Sequence, residues 1–278
     1  MSGSKIRNIT IVALLVINAL FMTFILVDLF NDARSHREAI ENTSAILKAG
    51  GLMINTDNIE SAGVLRTMRT ARVIEVEESI ARALLGETVM SDHGVISLYK
   101  NPERGAAEFY SAGDFEVRLS AGVIYRAEPL RTVASLLREI ELETTQMTAT
   151  IDPETSNEVV TVWVAYRGTS VFNCFIEFVF DENYLLIVRG RYVAVIEQAE
   201  GGATISQVSS ALLGFLAAVR DEYRGDITCT EILSVQAGFR HRVVGAFGEG
   251  VLDPVWLIAT DNGRFLIDDA TGEIWPFG

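Results

Sequence analysis

The sequence predicts an α+β fold: a single N-terminal transmembrane helix followed by repeated helix-plus-antiparallel-meander units. Three observations carry this reading. Residues 9–27 run nineteen positions without a charge. Three amphipathic helical segments recur along the rest of the chain, each followed by residues of alternating polarity. Turn signals such as Asn262-Gly263 separate the alternating runs, and helices segregated from antiparallel strands define the α+β class.

The uncharged run comes first. At 1.5 Å per helical residue it spans roughly 28 Å, close to the ~30 Å hydrocarbon core of a bilayer. Lys5 and Arg7 precede it, but it exceeds the usual 7–15 residues of a secretory h-region and ends in Asp28 without a small-residue cleavage site. The expectation is an uncleaved, single-pass anchor over residues 9–30. It places a cytoplasmic tail at 1–8 and the bulk of the chain outside the cell membrane. Asn18 sits at its midpoint, and an amide in hydrocarbon calls for a partner. At 100° per residue, Ile11, Leu14, Met22, Ile25 and Leu29 share its face within about 40°. These six are the expected partner-binding residues. A bond from Asn18 to its own backbone is the rival reading, as is a face built on Ala19 and Thr23.

Beyond the anchor, three units are expected: a membrane-proximal α+β region at 31–126, a middle unit at 127–200 and a C-terminal unit at 201–278. In the first, a helix at 33–49 is stopped by Gly50-Gly51. A strand-like run at 64–77, a short helix at 79–85 and strands near 94–100, 106–111 and 114–126 follow. In the second, Pro129 opens a helix whose stripe is Leu130, Val133, Leu137 and Ile140. Strands are expected at 144–151, 158–166, 170–180 and 184–196. Within 170–180, Phe172, Cys174, Ile176, Phe178 and Phe180 alternate onto one face. In the third, Thr204 and Gln207 form a capping box ahead of Ile205, Val208, Leu212, Phe215 and Val219. Strands near 226–236, 239–247, 254–260 and 264–268 end the chain.

Composition and motifs argue against several functions. After Asn31 the chain holds 21 basic and 36 acidic residues, which disfavours nucleic acid and anionic lipid as partners. His36, His93 and His241 lack neighbours at metal-ligand spacing, and no nucleophile-elbow or Walker motif occurs. Cys174 and Cys229 sit in strand-like runs; a bridge between them is left open by the sequence. The chain therefore reads as a non-enzyme without cofactor or metal.

The C-terminal run from Pro254-Val255-Trp256 through Asp268-Asp269-Ala270-Thr271-Gly272-Glu273-Ile274 resembles the ending of YycH/YycI-type regulatory proteins and of PepSY-like domains. Phe172-Asn173, Gly190-Arg191-Tyr192 and the anchor segment Leu15-Val16-Ile17-Asn18-Ala19-Leu20-Phe21 resemble the YycI type as well. The resemblance implies a non-catalytic, membrane-anchored extracytoplasmic regulator. It would modulate a sensor histidine kinase of a cell-envelope two-component system, through transmembrane and ectodomain contacts, alongside a sister YycH-type protein. The alternative is a PepSY-like binding or inhibitory module whose anchor only localises it.

Overall fold

The computed structural model describes residues 22, 35, 37–60, 63–120, 128–182, 184–205, 207–220, 228–245, 248–268 and 270–277. Its frame is one large mixed sheet built as two joined halves. The first half is antiparallel: β3 (Val89–Asp92), β4 (Ile96–Asn101), β5 (Gly105–Tyr110), β6 (Asp114–Leu119), β10 (Tyr184–Arg191), β9 (Thr169–Asp181), β8 (Glu158–Tyr166) and β7 (Thr144–Ile151), in that spatial order. In the second half, β12 (Glu231–Val243) pairs along its length with β13 (Gly250–Thr260). The other edge of β13 is shared end to end by β2 (Met68–Thr70) and β14 (Gly263–Asp268). β11 (Val195–Gln198) extends β2, β15 (Ile274–Phe277) extends β14, and the short β1 (Met53–Ile54) runs parallel to β12.

Helices cover one face of each half. α2 (Ile74–Leu85) and α3 (Pro129–Glu139) bury Ile80, Leu84, Val133 and Leu137 against Val160, Val162, Ile176 and Phe178. The helix α1 (37–49) and α4 (Val208–Arg220) bury Leu47, Leu212 and Phe215 against Val235, Trp256 and Ile258. A third, smaller cluster of Phe172, Val255, Leu257 and Leu266 lies on the opposite face of the second half.

Local sequence explains most boundaries. α1 stops as the glycine pair demands: Gly51 takes φ +87°, while Leu52 N–H returns to the Leu47 carbonyl at 3.0 Å. α2 begins at Ile74, inside the run expected to be a strand, because its Val73 cap is extended and offers no side-chain signal. The Thr204–Gln207 capping box does not form. Thr204 instead bridges Arg66, and α4 starts at Val208. β12 passes unbroken through 237–238, where two strands were expected. Pro254 is tolerated inside β13 because it falls between the last β2 pair, Leu252, and the first β14 pair, Val255. On that side no ladder bond exists to be lost.

The expected fold class is corrected in two respects. The meanders are not separate repeats: β6 pairs with β10, and β2 with β13, so strands far apart in sequence merge into one sheet. In addition, no described helix is long and apolar enough to cross a membrane. The expected single-pass topology, with a cytoplasmic N-terminus and an extracytoplasmic body, therefore finds no support. The run at 9–27 lies, apart from Met22, outside the described residues.

Candidate functional site

The two halves meet at a bulge in β9. Two steps along β8, from Ala165 to Trp163, span five along β9, from Ser170 to Phe175. The extra residues leave the ladder, and a bulge of this kind re-aims side chains. Val171 turns to pair with Phe239 of β12. Phe172 crosses to the other face and lies on Gly238, where an added Cβ would stand 2.5 Å from the ring. Asn173 grips His241 through both backbone groups, and Cys174 returns to the first core. Phe172, which the sequence places on one face with Cys174 and Ile176, thus serves the third cluster instead.

The bulge opens a cleft of about 450 Å³ between the halves. Its walls are Thr145 and Gln146 of β7, Ser170 and Phe172 of β9, Gln236 of β12, and Glu60. Thr145 and Ser170 join their hydroxyls at 2.8 Å, and Gln236 donates to Glu60 at 3.3 Å. Leu65 and Thr169 form a partition shared with a second cleft of about 460 Å³, lined by Arg66, Tyr166, Arg167 and Phe239. There the Arg167 guanidinium stands 5.3 Å from the centre of the Tyr166 ring. Hydroxyls, amides, one carboxylate and aromatic faces suit recognition of a polar ligand surface.

The ionisable groups buried near the junction are held in structural roles. Arg72 forms a two-point ion pair with Glu77, at 2.6 and 3.0 Å, and also donates to Ser97. Tyr192 donates to the same carboxylate at 2.9 Å. The hydrogen bond that Arg72 donates to Glu77 raises the Arg72 pKa, and burial drives that of Tyr192 far upward. Arg191 holds Asp114 bidentately at 2.8 and 2.7 Å. Burial lowers the His241 pKa to about 4, with the nearby Arg191 charge acting in the same direction. Its Nε2 sits 3.1 Å from Thr70 Oγ1. Burial pushes the Cys174 thiol up to about 12 and raises that of Cys229. Both cysteines are free, and thiols held protonated are poor nucleophiles. Among the described residues no group of three His, Cys, Asp or Glu could hold a metal ion.

Of the six residues expected on the partner-binding helix face, Ile11, Leu14, Asn18, Ile25 and Leu29 lie outside the described residues. Met22 is helical and 69% exposed. Trp256 is a core residue whose indole N–H has no partner among the described residues. Gly263 and Gly272 take φ +137° and +70° at turns. The cleft escaped sequence reading because its walls come from positions as far apart as Glu60, Thr145 and Gln236.

No family model matches the chain, and no curated protein matches it. A solved structure of an uncharacterized protein from Eubacterium rectale is similar: TM-score 0.52 at 12% identity, over 82% of this chain and 90% of that one. At that identity the likeness concerns the fold alone.

Proposed function

We propose that the chain is a non-catalytic regulator that works by binding, with the cleft beside the β9 bulge as its docking site. The observation that carries this reading is the cleft's lining: Thr145, Gln146, Ser170 and Gln236 around the Phe172 ring. These groups recognise a polar partner; the Ser170 hydroxyl is engaged with Thr145, and the one carboxylate, Glu60, with the Gln236 amide. The nearby His241 is buried and engaged with Thr70. The sequence resemblance to YycH/YycI-type proteins supplies the class of partner, a sensor histidine kinase. The contact is assigned to the folded body of the chain.

Retention of a sensor histidine kinase from the same organism on immobilised chain, together with its autophosphorylation, tests the reading. Thr145→Trp fills the cleft mouth at an exposed position. It should lower retention about tenfold and return autophosphorylation to the level without the chain. Val89→Lys, on the exposed far strand β3, should change neither. Unaltered retention by Thr145→Trp refutes the cleft as the docking site.

A further inference from the structure

The free edges of the sheet are treated unequally. β1 has two residues, β3, β11 and β15 four each. β3 ends in Asp92, β11 carries Glu197 and β15 contains Pro276. Short length, charge and proline are the usual means of blunting an edge against further pairing. β7 has none of them. It offers eight residues, Thr-Thr-Gln-Met-Thr-Ala-Thr-Ile, and pairs only with β8 among the described residues. Every second residue of such a strand turns its N–H and C=O away from its neighbour, so β7 presents a row of backbone groups unpaired among the described residues.

The two faces of β7 differ. Met147, Ala149 and Ile151 stand opposite Val162, Val160 and Glu158, which places them on the side covered by α2 and α3. This side continues the first core outward, yet Ile151 remains 72% exposed. Between α3 and β7 lies a hollow of about 470 Å³, lined by Ala134, Leu137, Arg138, Leu142, Thr144 and Met147. The core's apolar layer therefore extends one strand beyond its cover. The ends are acidic: Glu141 and Glu143 precede β7, Asp152 and Glu154 follow it, and none makes an ion pair among the described residues.

We infer that β7 is a β-augmentation site that receives an extended basic peptide segment of a partner protein as an added strand. Backbone pairing supplies the strand geometry, and alternate aliphatic side chains enter the hollow under α3. Basic residues at both ends of the segment meet Glu141, Glu143, Asp152 and Glu154. A second copy of the chain fits less well. Antiparallel pairing of two β7 strands would set Glu141 and Glu143 of each copy against Asp152 and Glu154 of the other, in a chain of net charge −14. The site uses the free edge and the α3-facing side of β7, while Thr145 and Gln146 of the same strand line the cleft, and it does not depend on the identity of the cleft's partner.

Fluorescence polarisation with the full chain tests the inference. The probe is a labelled peptide of two lysines, three Thr-Val pairs and two lysines. Methylating the backbone nitrogens of one alternate set should weaken binding about tenfold, while the other set changes it less than about twofold. Ala149→Lys, exposed on the apolar side of β7, should weaken binding of the parent peptide by about fivefold or more. Three results overturn the inference: no binding of the parent peptide, equal loss from both methylated sets, or undiminished binding by Ala149→Lys. A concentration-dependent dimer abolished by Ala149→Lys, without peptide binding, assigns the edge to a second copy and overturns it too.

Discussion

Asn173 completes a strand pairing that the backbone does not make. Its Nδ2 donates to the His241 carbonyl at 2.8 Å, and its Oδ1 accepts from the His241 N–H at 2.8 Å. β9 and β12 share the single ladder pair Val171–Phe239, so this side chain acts as the next rung between the halves. Asn173→Leu would leave both His241 backbone groups without partners in a part-buried setting. Each unsatisfied group costs about 1–3 kcal/mol, and the part-buried setting holds both to the lower part of that range, so a loss of about 2–4 kcal/mol is expected in urea denaturation. Asn173→Asp keeps the acceptor and loses the donor, and should fall between wild type and Asn173→Leu.

The same junction predicts acid sensitivity. His241 has an ordinary pKa of 6.5, lowered to about 4 in the fold by burial and Arg191, with Asp114 partly opposing. Above pH 6.5 the ring is neutral in both folded and unfolded chain, so its full stability is present. As pH falls from 6.5 toward 4 the unfolded chain takes up the proton first, and stability drains away by up to about 3 kcal/mol. Urea midpoints at pH 7, 5.5 and 4.5 should decline on this account. His241→Gln removes the titration and should flatten the decline, leaving the part due to carboxylates.

How far the sequence disclosed this molecule depends on the distance over which each feature is encoded. β7 and β8 fall at 144–151 and 158–166, as alternation and the intervening turn residues predict, because period-two patterning is local. α3 follows from Pro129 and its apolar stripe. The hairpin near Asn262-Gly263 forms, but Asp261 and Asn262 make its turn and Gly263 already pairs with Thr260. Gly238 has the look of a strand break in sequence; its need for a bare Cα comes from Phe172, sixty-six positions earlier. The pairing of β6 with β10 and the cleft walls are likewise long-range, and no local pattern announces them.

The Arg72–Glu77 pair gives a prediction about buried charge. Glu77 is fully buried and receives bonds from Arg72 and Tyr192. Glu77→Leu strands the Arg72 guanidinium and the Tyr192 hydroxyl, and about 3–5 kcal/mol should be lost. The double variant Arg72→Met with Glu77→Leu removes both charges and should recover much of that loss. A thermodynamic cycle from denaturation of the four proteins reads the coupling directly. Additive losses would show that Arg72 and Glu77 are stabilised independently.

Gly238 predicts how the two halves are kept in contact. A Cβ there would lie 2.5 Å from two Phe172 ring atoms and 2.8 Å from the Ser170 carbonyl oxygen. The Gly238 φ is ordinary, so the restriction is space rather than backbone conformation. Gly238→Ala must therefore push the β9 bulge away from β12, at about 1–3 kcal/mol of overpacking. Because Phe172 and Ser170 both line the cleft, the same displacement should alter binding there. Phe172→Leu in the Gly238→Ala background relieves the ring contact but not the carbonyl contact, so stability should return only in part. Urea midpoints of the two single variants and the double variant measure this. Complete recovery would assign the whole cost to the ring, and no recovery would assign it to the Ser170 carbonyl.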